Sequence, residues 1–269
     1  MPSADPVLLL LPGMSLNATT FPAFPYPALA PNFSRFVPGT GRGMEPYLEA
    51  LDRLVDDPLW TGAADRVVVG HSFGGMLALV WLLRHRLSGP AAVRGLVLVG
   101  TTAGPMFDAV RIQLARVGDR ELRVGIKPFL PAWYHGRVTR GVKRLLNGGT
   151  LRTRDVDFRA LRFRSDLAVG VAGWRNTDWA ARRSYRWAMD GFDVRDRLSE
   201  LELPAIVLHG KRDRLFPVAA AETLARGLPR AELRVLPDAG HIVPLTHGEA
   251  VRAAVEDVLS VKRETWKSG

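Results

Sequence analysis

Short runs rich in Val, Leu and Ile recur along this chain, separated by longer stretches whose apolar residues fall at helical spacing. The runs are Val7–Leu11, Val67–Val69, Gly95–Val99, Ala205–Leu208 and Leu233–Leu236, with Ser34–Val37 a weaker candidate. Runs apolar on both faces suit strands of a parallel sheet covered by helices on each side. The helices predicted between them are Met44–Val55, Gly74–Arg86, Ala219–Ala225 and Gly248–Arg263. Strand and helix in alternation give an α/β class: a doubly wound, mostly parallel sheet of about six strands.

Residues 105–190 break the alternation. They contain no convincing strand but carry Trp133, Trp174, Trp179 and Trp187 among many arginines. Helices are predicted near Asp108–Gly118, Arg137–Asn147, Asp155–Gly170 and Thr177–Trp187. An insertion this long is read as a helical lid. The core then comprises residues 1–104 and 191–269. The four tryptophans are candidates for an apolar acyl pocket; for most of them the lid's own core is the favoured place.

Charge sharpens this division. The net charge is +10, and residues 105–190 hold 18 basic and 8 acidic residues, so the rest of the chain is balanced. A basic surface steers anionic partners toward it. No nucleic-acid module accompanies the charge, and nucleic acid is not an expected partner. With no cysteine present, disulfides, thiolate metal sites and a cysteine nucleophile are excluded. A cytoplasmic location is the expectation. Val7–Leu11 is too short for a membrane span or a signal sequence, and no other segment is long and apolar enough to span.

The chemistry is concentrated at Arg66–Val80, which reads as a buried strand, a tight turn and a helix. Gly70, Ser72 and Gly74 fit Gly-x-Ser-x-Gly, where small residues let the backbone fold around an exposed serine. A serine needs a base to become a nucleophile. His241, in a loop after the last strand with Gly240 beside it, is the candidate. His71 lies within the turn and is expected to point away from the site, and His209 is expected to pack in the core. The imidazole needs a carboxylate partner. Asp213, just past Ala205–Leu208, is the candidate, with Asp108 the alternative. Donors for an oxyanion are sought in the amide of Phe73 and in that of Met14, on the turn after the first strand. No metal or organic cofactor is implied.

Gly70-His71-Ser72-Phe73-Gly74-Gly75, Gly210-Lys211-Arg212-Asp213 with Phe216-Pro217, and Gly240-His241 resemble the α/β-hydrolase superfamily over nearly the whole chain. Two departures stand out. The oxyanion turn has Pro12-Gly13 where the family commonly has His-Gly, and a backbone donor survives that change. Only six residues precede Val7, so the resemblance implies a sheet without the family's N-terminal hairpin. The lid position and Asp190–Leu198 are similar to small lidded esterases, among them pimeloyl-acyl-carrier methyl ester esterases and related carboxylesterases. The resemblance implies a serine esterase or thioesterase acting on a small-molecule ester or acyl-thioester. In that esterase group a basic lid receives an acidic acyl-carrier protein. A lyase, a C–C hydrolase, an acyltransferase, a cyclase or a non-catalytic binder would use the same fold.

Overall fold

The computed structural model describes residues 5–34, 43–85, 93–105, 155–162, 164–177, 181, 184, 185, 188, 189 and 191–261. Its elements in chain order are β1 (Val7–Leu11), β2 (Ala28–Leu29), α1 (Glu45–Val55), α2 (Pro58–Thr61), β3 (Arg66–His71), α3 (Phe73–His85) and β4 (Gly95–Val99). After the inserted region come α4 (Asp166–Asn176), β5 (Ala205–Gly210), α5 (Val218–Gly227), β6 (Ala231–Leu236), α6 (Val243–Thr246) and α7 (Gly248–Ser260). Six strands form one sheet in the order β2-β1-β3-β4-β5-β6, and every neighbouring pair is parallel.

Alternation along each strand divides the core between two faces. Val7, Leu9 and Leu11, with Val68, Leu96, Leu98 and Val207, join α1, α3 and α5 on one face. Leu8, Leu10, Val67, Val69, Val97, Val99, Ile206 and Leu208 meet Val251, Ala254, Val255 and Val258 of α7 on the other. Buried apolar positions on both sides of a strand are what put helices on both faces. Helix α3 lies under this load on nearly all its positions, from Phe73 to Leu83. Among the described residues no helix is long and apolar enough to cross a membrane.

Two local expectations are corrected. The strand at the edge beside β1 is Ala28–Leu29, which the pattern did not predict; of the Ser34–Val37 candidate, Ser34 lies in a turn and residues 35–37 lie outside the described residues. Pro27 and Pro31 flank β2 and limit it to the sheet edge, where Pro27 still accepts the Leu8 amide at 3.0 Å. The helix predicted at Asp155–Gly170 begins only at Asp166, after Ser165, whose hydroxyl accepts the Ala168 amide. The preceding segment is tied instead to other parts of the chain. Val156 N–H donates to Asn176 Oδ1 at 3.1 Å, and Phe158 N–H to Thr19 Oγ1 at 2.8 Å. The helices predicted at Asp108–Gly118 and Arg137–Asn147 lie outside the described residues. Of Thr177–Trp187, Ala181, Ser184 and Tyr185 are helical, and the state continues at Ala188 and Met189.

The strand order fixes where a site can form. The chain runs from β1 outward to β2, then returns to place β3 on the other side of β1. The connections that follow β1 and β3 therefore diverge and leave a crevice at the carboxyl edge between them.

Candidate active site

Ser72 sits at that crevice, between β3 and α3, with φ of 52°. A left-handed conformation at a non-glycine residue is costly and persists only where the surroundings enforce it. Here Ser72 N–H donates to Val99 O at 2.9 Å, and its carbonyl accepts Thr101 Oγ1 at 2.7 Å and the Gly75 amide at 2.9 Å. The flanking glycines are required by close approach. A methyl at Gly70 would lie 2.6 Å from Gly75 Cα, one at Gly75 would lie 2.6 Å from Thr101 Cγ2, and one at Gly74 would be driven into the Leu11 carbonyl.

Two further loops converge on Ser72. Asp213 follows β5 and is buried, with Oδ1 accepting the amides of Leu215 at 2.7 Å and Phe216 at 3.0 Å. Its Oδ2 accepts His241 Nδ1–H at 2.8 Å. His241 Nε2 in turn lies 3.0 Å from Ser72 Oγ. A methyl at Gly210 would strike the carbonyl oxygens of Ala239 and Gly240, so the close seating of these two loops depends on that glycine. Burial alone would raise the carboxyl pKa of Asp213. The hydrogen bond and charge of His241, with the Phe216 amide and His209, outweigh it and hold the group below the ordinary carboxylate value.

Beneath this chain of three residues lie two buried histidines. His71 Nε2–H donates to the His241 carbonyl at 3.1 Å, and its ring centroid lies 5.1 Å from that of His241. Desolvation, reinforced by the charge of His241, pushes its pKa down to about 3, so the ring is neutral. His71 is fully buried, so close to the turn after β1 that a methyl at Gly13 would lie 2.9 Å from its Nδ1, and it braces the main chain of His241. His209 packs in the core as expected. Its Nε2–H donates to Phe216 O at 3.1 Å, and desolvation again lowers its pKa.

The third component is the turn after β1. Leu16 N–H closes it on Gly13 O at 3.0 Å, with Met14 second and Ser15 third at φ of 67°. Across the crevice Phe73 opens α3, so its amide is among the first-turn donors that have no intrahelical acceptor. Phe73 thus adjoins Ser72 from α3, and Met14 lies in the turn after β1, the strand paired with β3. Among the described residues no cluster of three or more His, Asp or Glu is placed to hold a metal ion.

A family model described as the alpha/beta hydrolase fold matches residues 60–248. The chain belongs to the α/β-hydrolase fold family. It is 30% identical over 225 residues to a pimeloyl-[acyl-carrier protein] methyl ester esterase of Aromatoleum aromaticum, covering 82% of each chain. It is 29% identical over 221 residues to a 2-hydroxymuconate semialdehyde hydrolase of Pseudomonas putida, covering 81% of this chain and 68% of that one. Among solved structures, Est816, titled an N-acyl homoserine lactone degrading enzyme, superposes with a TM-score of 0.64 at 20% identity, covering 95% and 93% of the two chains. This α/β hydrolase is an enzyme, and its relatives carry out hydrolysis.

Within that family frame, Ser72, Asp213 and His241 come together, with Phe73 next to Ser72 and Met14 on the turn after β1. Asp108, Trp133, Trp179 and Trp187 lie outside the described residues, as does the side chain of Trp174. Sequence reasoning missed Asp166. Its Oδ2 accepts the His241 amide at 3.1 Å and its Oδ1 the Ile242 amide at 3.2 Å. The Ser165-Asp166 pair is a legible helix start, but nothing in its spacing points to a partner 75 residues away.

Proposed function

We propose that this α/β hydrolase cleaves a carboxylic ester or thioester through an acyl-enzyme on Ser72. The observation that carries the reading is the continuous hydrogen-bond chain from Ser72 Oγ through His241 to Asp213. His241 Nε2 takes the Ser72 proton as Oγ attacks the carbonyl carbon. Asp213 keeps the imidazole in the Nδ1–H tautomer and stabilises its charged form. The amides of Phe73 and Met14 donate to the oxyanion of the tetrahedral intermediate. His241 then passes its proton to the leaving alcohol or thiol, draws one from water, and returns one to Ser72 as the acid is released.

Substrate choice belongs in this reading to residues 105–190, acting as a lid over a core of 1–104 and 191–269. The basic charge of that segment and the likeness to an acyl-carrier-protein ester esterase favour an acyl group presented on an acidic carrier. A cleft of about 320 Å³ beside α6 and α7 is lined in part by Arg159, Arg164 and an Arg252 paired with Glu249. The likeness to a 2-hydroxymuconate semialdehyde hydrolase supports a second reading, hydrolysis of a C–C bond with the same three residues.

A panel of p-nitrophenyl esters, acyl-thioesters and a meta-cleavage dienoate, run with Ser72→Ala alongside, tests both. Ester or thioester turnover falling by about a thousandfold or more in Ser72→Ala is the expected result, since such residues act as a unit. Turnover of the dienoate alone selects the second reading. Unchanged ester hydrolysis in Ser72→Ala, or no reaction of Ser72 with a fluorophosphonate, overturns the mechanism.

A further inference from the structure

Helix α4 touches the site at both ends. At its first turn, Asp166 accepts the amides of His241 and Ile242. A methyl at Gly240 would lie 2.7 Å from Asp166 Oδ2, so the glycine before His241 leaves room for that carboxylate. At the last turn, the buried Asn176 donates Nδ2–H to Ser15 O at 3.2 Å and to Ser34 Oγ at 2.8 Å. Its Oδ1 is taken by Val156 N–H and by Asn17 Nδ2–H at 3.4 Å. Gly173, one turn earlier, would set a methyl 3.2 Å from Ser15 O. Eleven residues of helix span about 16 Å. One rigid rod therefore runs from the loop bearing His241 to the turn bearing Met14.

Neither contact is needed to fold α4. Ser165 already caps the helix start through the Ala168 amide, so the Asp166 carboxylate is free to spend both oxygens on another loop. Those oxygens satisfy two adjacent amides that would otherwise point outward from the turn preceding α6. Bonds from ionised groups are the stronger and shorter class, and a carboxylate across two successive amides fixes the main-chain direction at His241. His71 braces the same residue from beneath, through the carbonyl. The main chain at His241 is thus held at its N–H by Asp166 and at its C=O by His71.

We propose that α4 is a strap that ties the inserted segment to the catalytic loops, with Asp166 the positioning residue for His241. The inference rests on the reading of His241 as the base. It implies that whatever moves α4 changes the base's alignment, so engagement of the inserted segment by substrate or carrier is felt at the hydrolytic step.

The titratable groups around His241 are Asp213 from the loop after β5, His209 from β5 and His71 from β3, with Asp166 from α4 at its main-chain amide. Asp166→Asn keeps the volume, removes the charge and leaves only one acceptor for two amides. Per active site, counted by a p-nitrophenol burst, kcat should fall about 10- to 100-fold with KM nearly unchanged. Asp166→Glu should recover part of kcat. Gly240→Ala, which displaces the carboxylate but keeps its charge, should lower kcat with KM nearly unchanged, and it serves as the independent arm if Asp166→Asn fails to fold. A change only in the fraction of active protein, with kcat per site unmoved in Asp166→Asn, overturns the proposal, as does unchanged kcat per site in Gly240→Ala. Ser72→Ala separates the two inferences. If it is inert while Asp166→Asn matches the parent, only the strap fails; if it still hydrolyses, the base reading itself fails.

Discussion

Replacing Asp213 by Asn tests whether its carboxylate governs the proton on His241. The new side chain has two ways to sit. In one, its carbonyl oxygen keeps the Leu215 and Phe216 amides, now held at 2.7 and 3.0 Å by Oδ1. Its NH2 then faces His241 Nδ1, where a donor now meets Oδ2 at 2.8 Å. Two donors cannot share that line, so the imidazole must shift its proton to Nε2. A protonated Nε2 cannot accept from Ser72 Oγ, 3.0 Å away. In the other orientation the carbonyl serves His241, and the NH2 points at two backbone N–H groups. Each buried donor so orphaned costs about 1–3 kcal/mol, together roughly 2–6. Two bonds against one decide for the first orientation and the wrong tautomer. The expected loss in kcat is about 10³- to 10⁴-fold, with the fold and KM little altered, in line with what tautomer disruption costs in other serine enzymes. Steady-state turnover of a short p-nitrophenyl ester, with a urea midpoint on the same preparation, reads both. A loss below tenfold with an unchanged midpoint would show that Asp213 does not set the tautomer.

Gly74→Ala forces a methyl onto the Leu11 carbonyl, where only backbone can yield; overpacking of this kind should cost about 3 kcal/mol and also lower kcat, since the turn carrying Met14 must move, and a urea midpoint equal to the parent's would refute the packing. His71 is neutral when folded because its pKa is held at about 3 against an ordinary 6.5. Between those values the unfolded chain binds a proton that the folded chain excludes, so stability drops as pH falls. This amounts to about 2 kcal/mol at pH 5. His71→Gln retains a donor for the His241 carbonyl without that proton, and its Tm should fall less between pH 7 and pH 5; an identical slope in both proteins would refute the assignment.

What the sequence disclosed follows how local each signal is. β4 is found at its full extent because Gly95–Val99 is apolar throughout and bounded at both ends. β6 is extended to Ala231 by pairing with β5, although Glu232 and Arg234 break its apolar pattern. β2 escaped because two residues between prolines carry no period; its place is set by Leu8 and Leu9 across the sheet. The Ser72 turn is legible for a different reason. Its glycines answer steric demands from Leu11, Gly75 and Thr101, and only one residue type meets them. Asp213 and His241 were found by their position after strands. Asp166 and Asn176 act across 75 and more than 100 residues, through hydrogen bonds that any Asp or Asn can make. No pattern in the chain singles them out.

The same contrast separates the ways in which the sheet and helix α4 bear on the candidate site. Ser72, Asp213 and His241 hang from β3, β5 and β6, whose register is fixed by buried apolar side chains on both faces. Parallel strands lie about 4.8 Å apart, so residues from strands two positions removed start roughly 10 Å from one another. Side-chain hydrogen bonds of about 3 Å then require the loops to lean together, and Gly210 against Ala239 and Gly240 supplies that lean in the core itself. The lean of those two loops is thus set within the core. Helix α4 adds a restraint on the His241 loop and the Ser15 turn from outside the sheet, through the hydrogen bonds of Asp166 and Asn176 and through Val169 and Ala172, which pack with Leu16, Ile242 and Leu245. That satellite cluster is small beside the two apolar faces of the sheet, so a change in α4 should shift the alignment of His241 while the strands beneath it keep their register.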